Sequence, residues 1–229
     1  MSLKGKIAIV TGCSKGIGLT TTIALLNKGV KVAGWSRTPP DLTHMEFTHF
    51  QTDVSNYESV QKSFQKTILK YGQADILVNN AGLGYASEFE ELETAKWLEM
   101  FDVNVHGMYY CSKVVVPGMK QKGSGHIVNI GSIAGTTAVK NMVGYAATKH
   151  AVTGMSHSLF MELREFGIKV TCIYPGSVKT SFFDNIDEID AHENMMNPED
   201  ISGTIIHVLE STGNYHHVDI EVRPLKPKG

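Results

Sequence analysis

Tyr145-Ala146-Ala147-Thr148-Lys149 places a phenol and an ammonium four residues apart. In a helix both side chains leave the same face. The fixed positive charge would then favour the phenolate and draw the phenol's pKa down. Such a pair is a proton donor for an oxygen that gathers negative charge. Ser132 follows the apolar run Ile127-Val128-Asn129-Ile130, which reads as a strand. A hydroxyl just past the C-terminal end of a strand sits where open α/β sheets bind their ligands. Gathered there, a Ser, a Tyr and a Lys can polarise a carbonyl oxygen and hand it a proton. Taken alone, the Tyr145–Lys149 spacing more often marks a half-buried tyrosine beside a solvated lysine. The elements around it decide between the two readings.

Lys6-Ile7-Ala8-Ile9-Val10 is a short β-branched run, read as a buried parallel strand. Thr11-Gly12-Cys13-Ser14-Lys15-Gly16-Ile17-Gly18 follows at once, and an amphipathic segment runs from Leu19 to Lys28. In a strand–turn–helix context, glycines let backbone approach a pyrophosphate and free N–H groups at the helix start face its charge. The second strand, Val30 to Trp35, ends at Ser36-Arg37. Dinucleotide folds read the adenosine ribose there: an acid suits the 2′-hydroxyl of NAD, an arginine a 2′-phosphate. The plain alternative for Arg37 is a solvated loop residue.

Pro39-Pro40 breaks the chain before a third strand, Phe47–Gln51, that leads to Asp53-Val54. Ser55 is the predicted N-cap of a helix reaching Tyr71, with Glu58 completing a capping box. Asp75-Ile76-Leu77-Val78 is the fourth strand, closed by Asn79-Asn80-Ala81-Gly82. A helical region from Thr94 to Lys120 carries Asn104 in its interior, where an asparagine needs a local task or bends the helix. His126–Ile130 is the fifth strand, and the helix with Tyr145 and Lys149 runs to Phe166, with Gly167 as its stop. Lys169–Ile173 is the sixth strand, followed by Pro175-Gly176-Ser177-Val178-Lys179-Thr180. Residues 181–197 show no periodicity and read as a mobile loop over a site. Asn197-Pro198-Glu199-Asp200 starts a last helix, and Val218–Val222 forms a last strand. This alternation predicts an α/β fold, a single doubly wound parallel sheet with helices on both faces (Rossmann-like), in one domain over residues 1–229.

Bulk properties narrow the classes of function. The chain has 229 residues, 42% of them hydrophobic and 19% charged, with a net charge of -2. That is ordinary for a soluble globular protein, and no basic block points to nucleic acid or a membrane surface. Cys13, Cys111 and Cys172 lack metal-ligand spacing and read as reduced thiols of a cytoplasmic protein. No metal is predicted.

Taken together and in order, these motifs resemble the short-chain dehydrogenase/reductases over nearly the whole length. The resemblance is carried by Thr11-Gly12 with Gly16 and Gly18, Asp53, Asn79-Asn80-Ala81-Gly82, Asn104, Ser132, Tyr145 with Lys149, and Pro175-Gly176 with Thr180. It implies that Gly12, Ser14, Gly16, Ile17 and Gly18 hold a pyrophosphate and that Asp53 and Val54 meet adenine. Asn80, Ala81 and Gly82 would line the adenosine side, and Pro175, Gly176, Val178 and Thr180 would seat the nicotinamide. Tyr145 would be the general acid or base, Lys149 would hold the ribose, Ser132 would orient the substrate oxygen, and Asn104 would join a proton relay through Lys149 and water. Lys15 and Arg37, with neutral Ser36 between strand and arginine, resemble the NADP-preferring members, so the implied cofactor is NADP(H). The end Glu221-Val222-Arg223-Pro224 resembles compact carbonyl reductases.

The implied activity is hydride transfer between NADP(H) and a small ketone or aldehyde, or a secondary alcohol. The family also implies a homodimer or homotetramer, and the apolar content of the helices around Val105–Met119 and Ala151–Glu162 agrees. Tyr85, Met142, Phe182 and Phe183 are candidates for an apolar pocket wall. The rival readings are an NADP(H)-binding sensor or scaffold protein on the same fold, and a flavodoxin-like binding domain. A sensor has no use for the Asn104, Ser132, Tyr145 and Lys149 set, and flavin absorbance would mark a flavodoxin-like domain.

Overall fold

The structure is a computed structural model that describes residues 2–180, 182 and 193–226. Seven strands form one parallel sheet: β1 (Ile7–Thr11), β2 (Lys31–Ser36), β3 (Phe47–Gln51), β4 (Ile76–Asn79), β5 (Gly125–Ile130), β6 (Ile168–Pro175) and β7 (Asp219–Val222). Their order is β3-β2-β1-β4-β5-β6-β7, with every pair parallel. The order reverses between β1 and β4, which opens a crevice at the C-terminal ends of the strands.

Helices cover both faces. Ala8 and Val10 of β1 pack toward α1 (Gly16–Asn27) and α6 (Pro198–Leu209), in a core with Leu25, Ile201 and Ile205. Ile9 points the other way, into a core with Leu77, Ile127 and Val170 and with Val115 and Met119 of α4 (Gly107–Lys122). This period-two split is what a strand buried on both faces requires. The second face also carries α2 (Tyr57–Tyr71) and α5 (Val143–Leu163). Among the described residues no helix is long and apolar enough to cross a membrane.

Three expectations about local structure change. The first helix begins at Gly16, so the end of the glycine-rich turn, Gly16 to Gly18, is already helical. Asn56, not Ser55, caps α2: its Oδ1 accepts from the Ser59 N–H at 2.9 Å. Ser55 instead gives its N–H and its hydroxyl to Asp53 Oδ1, at 3.0 and 2.7 Å, closing an Asx turn one residue earlier. The helical region from Thr94 is not uniform. The helix α3 (Thr94–Phe101) runs into a five-residue π turn, Asp102–His106, before α4. Asn104 sits in that π turn, so the helix does bend its hydrogen-bond ladder around the asparagine.

The loop expected over residues 181–197 falls mostly on residues 181 and 183–192, outside the described residues, as does Phe183. The stretch that follows is anchored. Met195 and Met196 are buried, Met196 bridges Val178 in parallel, and the Lys179 N–H donates to the Met196 carbonyl at 2.8 Å. Asn197 and Asp200 form the capping box at the start of α6.

Candidate active site

A cleft of about 670 Å³ runs along the C-terminal ends of the strands. Gly12, Ser14, Lys15, Gly16 and Ile17 line its middle. Gly12 has φ +64°, and a Cβ there would lie 2.9 Å from Ala81 Cα, so only glycine fits this turn. Lys15 precedes α1 without a side-chain cap, and the first turn of α1 carries no acid. The first N–H groups of the helix are therefore left to face the cleft, which suits a phosphate.

Ser36, Arg37, Asp53 and Val54 line one end of the cleft, and Asn80, Ala81 and Gly82 its floor. The asparagine pair is held as expected of a strand end. Asn80 Nδ2 donates to the carbonyls of Thr11 and Gly12 at 2.9 and 3.2 Å, and Asn79 Nδ2 donates to Asn129 Oδ1 at 2.9 Å. Pro175, Gly176, Val178 and Thr180 line the other end with Ser132, Tyr145 and Lys149. A backbone cradle, two cations and a long cleft together fit a phosphorylated dinucleotide.

One of the expected cofactor residues stands elsewhere. Gly18 does not reach the cleft. A Cβ there would lie 2.1 Å from the Gly12 carbonyl oxygen, so this glycine serves the close packing of α1 under the turn. Asn104 lies behind the cleft wall. Its Nδ2 donates to the Leu83 carbonyl and to Thr148 Oγ1 at 2.8 and 3.0 Å, and its Oδ1 accepts from the Leu83 N–H at 2.9 Å. It shares with Lys149 and Asn79 a small cavity of about 10 Å³, close to the size of one water.

Ser36 also needs correction. It is only 6% exposed, and its hydroxyl hydrogen goes to the Thr38 carbonyl at 2.7 Å. A phosphate would not receive it.

Tyr145 and Lys149 do share a face of α5, with the ammonium 5.6 Å from the ring centre. The expected depression of the phenol is absent. Burial pushes Tyr145 up to about 12, against a hydrogen bond with Ser132 that pulls the other way. Burial pushes Lys149 down to about 8, and its Nζ donates to the Ile130 carbonyl at 2.8 Å. In the chain alone, desolvation outweighs the hydrogen bond from Ser132. Ser132 Oγ accepts from the Ala134 N–H at 3.1 Å, which leaves its hydrogen for Tyr145 or a ligand oxygen.

Other cleft residues had weaker signals. Gly84 lies two positions past Gly82, and a Cβ there would lie 2.6 Å from Phe182 and 2.9 Å from Tyr145. Its missing side chain makes the room beside the phenol. The Tyr145 and Phe182 rings stand 5.2 Å apart. Glu99 lines the cleft and accepts from the Tyr85 hydroxyl at 2.7 Å. Met142 and Tyr85 do line this end.

Comparison with known proteins settles the family. The profile of the short chain dehydrogenase family matches residues 6–191. The chain belongs to the short-chain dehydrogenase/reductases. An uncharacterised oxidoreductase of Staphylococcus saprophyticus is 35% identical, over 98% of this chain and 100% of its own. A serine dehydrogenase solved in its closed form with NADP+ is 30% identical, with a TM-score of 0.89 over 94% of each chain. A 3-ketoacyl-(acyl-carrier-protein) reductase from Brucella melitensis, solved with NADH, shares the fold with a TM-score of 0.90 at 24% identity, over 98% of this chain and 99% of its own. As a member of this family the chain is an oxidoreductase with a nucleotide-binding fold, and its relatives include both NAD(H) and NADP(H) complexes.

Proposed function

We propose that this chain is an NADP(H)-dependent oxidoreductase acting on a small ketone or aldehyde, or in reverse on a secondary alcohol. The observation that carries the reading is the convergence of Ser132, Tyr145 and Lys149 at one end of a cleft whose middle and other end carry Lys15 and Arg37. When bound, the nicotinamide supplies the hydride and, once oxidised, a positive charge. Tyr145, with its pKa near 12, holds its proton throughout the neutral range and is the general acid for the developing alkoxide. The Ser132 hydroxyl orients that oxygen and donates to its growing charge. Lys149, fastened to the Ile130 carbonyl, is the cation that holds the ribose and steadies Tyr145 as charge builds. Asn104 and the one-water cavity behind Lys149 form a route by which a proton is returned.

The preference for NADP(H) rests on Arg37 and Lys15 facing the cleft and on the absence of an acid at position 36. A guanidinium meets a 2′-phosphate with two parallel, charge-assisted bonds. At about 1.5–3 kcal/mol each, such bonds make a preference of roughly 10-fold to several hundred-fold.

The protein also acts as a symmetric homo-oligomer. Tyr109 of α4 and Met161 of α5 remain 45% and 57% exposed, apolar surface that a second copy would cover. A monomer mass by light scattering at micromolar concentration would refute this.

Oxidation of NADPH across a panel of aldehydes and ketones tests the activity. Turnover of at least one carbonyl is expected. Tight NADPH binding with no turnover of any would favour the sensor reading instead.

A further inference from the structure

Arg37 carries the cofactor reading, and the backbone beneath it is held by a cluster that the chemistry itself does not use. The Ser36 hydroxyl donates to the Thr38 carbonyl at 2.7 Å, so a hydrogen-bonded ring spans Arg37. His49, on β3 opposite Gly34, brings its Nε2 within 3.1 Å of both Ser36 Oγ and the Ser36 carbonyl oxygen. A carbonyl oxygen can only accept, and the hydroxyl has already given its one hydrogen to Thr38. Both atoms facing Nε2 are acceptors, so the partners assign the hydrogen to Nε2. Cys13 Sγ, from the glycine-rich turn, lies 3.2 Å from the same Ser36 oxygen. On the far side the chain continues as Pro39-Pro40, which has no N–H with which to pin the turn. Arg37 itself is exposed, and its guanidinium makes no hydrogen bond or ion pair among the described residues. What holds its direction is the turn. The turn is held at the Ser36 carbonyl by the Thr52 N–H, at 3.0 Å, and at both the carbonyl and the hydroxyl by His49, the one side chain from β3 that reaches both.

We propose that His49 is a positioning residue for recognition of the 2′-phosphate: it fastens the Ser36–Thr38 turn to the sheet so that Arg37 faces the phosphorylated ribose. The inference rests on the NADP(H) reading above. A guanidinium gains two bonds to a phosphate only when its plane is aligned with the oxygens. A turn free to swing would keep the charge and lose the alignment.

Calorimetric titration of NADP+, NAD+ and adenosine 2′,5′-bisphosphate tests it, with no dependence on turnover. His49→Leu is expected to weaken NADP+ and the bisphosphate by roughly 3- to 10-fold, the net value of a hydrogen bond or two. NAD+ binding should stay within about twofold, since one lost bond to the turn leaves the rest of the cleft intact. His49→Gln keeps an N–H donor and should restore most of the loss. Combined with Arg37→Ala, His49→Leu should add nothing. Should His49→Leu fail to fold, Ser36→Ala opens the same ring from the other side and is read in the same way.

Equal weakening of NAD+ and NADP+, or a further loss on the Arg37→Ala background, would show a merely structural histidine and overturn the proposal. If Arg37→Ala erases a preference that His49→Leu leaves intact, the inference falls and the cofactor reading stands. If the unmutated protein binds NADP+ no tighter than NAD+, both fall.

Discussion

The strand β5 buries ionisable groups at both ends, and the two ends do different things with them. At its start, His126 is 7% exposed and its Nε2 lies 2.9 Å from Thr171 Oγ1. Thr171 gives its hydrogen to the His217 carbonyl at 2.7 Å, so His126 is the donor. The His126 and His216 rings are 5.6 Å apart, and Phe160 stands 5.4 Å from His216. Burial pushes His126 down to about 3, with His216 and Lys169 adding to it. At the other end, past Ile130, burial has also moved Tyr145 and Lys149 far from their ordinary values. The first set faces packed protein; the second faces the cleft. A perturbed pKa therefore does not mark a site by itself. The opening in front of the group does, together with its place at the C-terminal end of a strand.

The largest expected break in this comparison is Lys149→Met. It removes the charge at the open end and leaves the Ile130 carbonyl without its donor. We expect kcat/KM to fall on the order of 10³-fold, within the range that proton-transfer machinery supplies, with thermal stability little changed because a costly buried charge is lost too. Steady-state kinetics beside a melting curve checks both. Turnover within tenfold of the unmutated enzyme would place Lys149 among the purely structural groups.

Arg37→Ala comes next. It should erase a preference for NADPH over NADH of about 10-fold to several hundred-fold, seen as a rise in the KM for NADPH alone. Equal Michaelis constants for the two cofactors in the unmutated protein would mean that Arg37 is simply solvated.

The smallest effect belongs to the packed end. His126 binds a proton near its ordinary 6.5 in the unfolded chain and only near 3 in the folded one. Between those values the unfolded chain holds more protons, so stability falls as the pH drops. About 1 kcal/mol should be lost between pH 7 and pH 5.5 from this group, and His216, whose pKa burial also lowers, acts in the same direction. Urea unfolding at both pH values checks it. In His126→Gln the slope should shrink while activity at neutral pH holds. An unchanged slope would show that His126 is not the group being titrated.

How far the molecule could be read in advance follows the same division. The sheet, its order of elements and the cofactor cradle rest on short local patterns. β-branched runs, glycines at the turn and Tyr145 four residues before Lys149 can all be recognised in one dimension. What was missed depends on contacts between distant segments. The cap of α2 moved from Ser55 to Asn56 because the turn that Ser55 closes on Asp53 Oδ1 sets the helix start one residue later, where Asn56 Oδ1 meets the Ser59 N–H. Gly18 belongs to packing because the Gly12 carbonyl lies where its Cβ would be. The upward push on Tyr145 comes from burial, with segments distant in sequence such as Gly84 and Phe182 lying close to the ring, and spacing alone shows only the neighbouring charge. Glu99 and Tyr85 meet across fourteen residues, with no motif to announce them.

The central claim is that Tyr145 passes the proton and does little else. Tyr145→Phe keeps the ring beside Phe182 and removes only the hydroxyl. Single-turnover oxidation of bound NADPH by a carbonyl substrate, with NADP+ affinity measured on the same preparation, tests that claim most directly. The account predicts a rate lower by roughly 10²-fold or more, with NADP+ binding within about twofold of the unmutated protein, since no described bond to the cradle is lost. A Tyr145→Phe enzyme that turns over at the unmutated rate would contradict it.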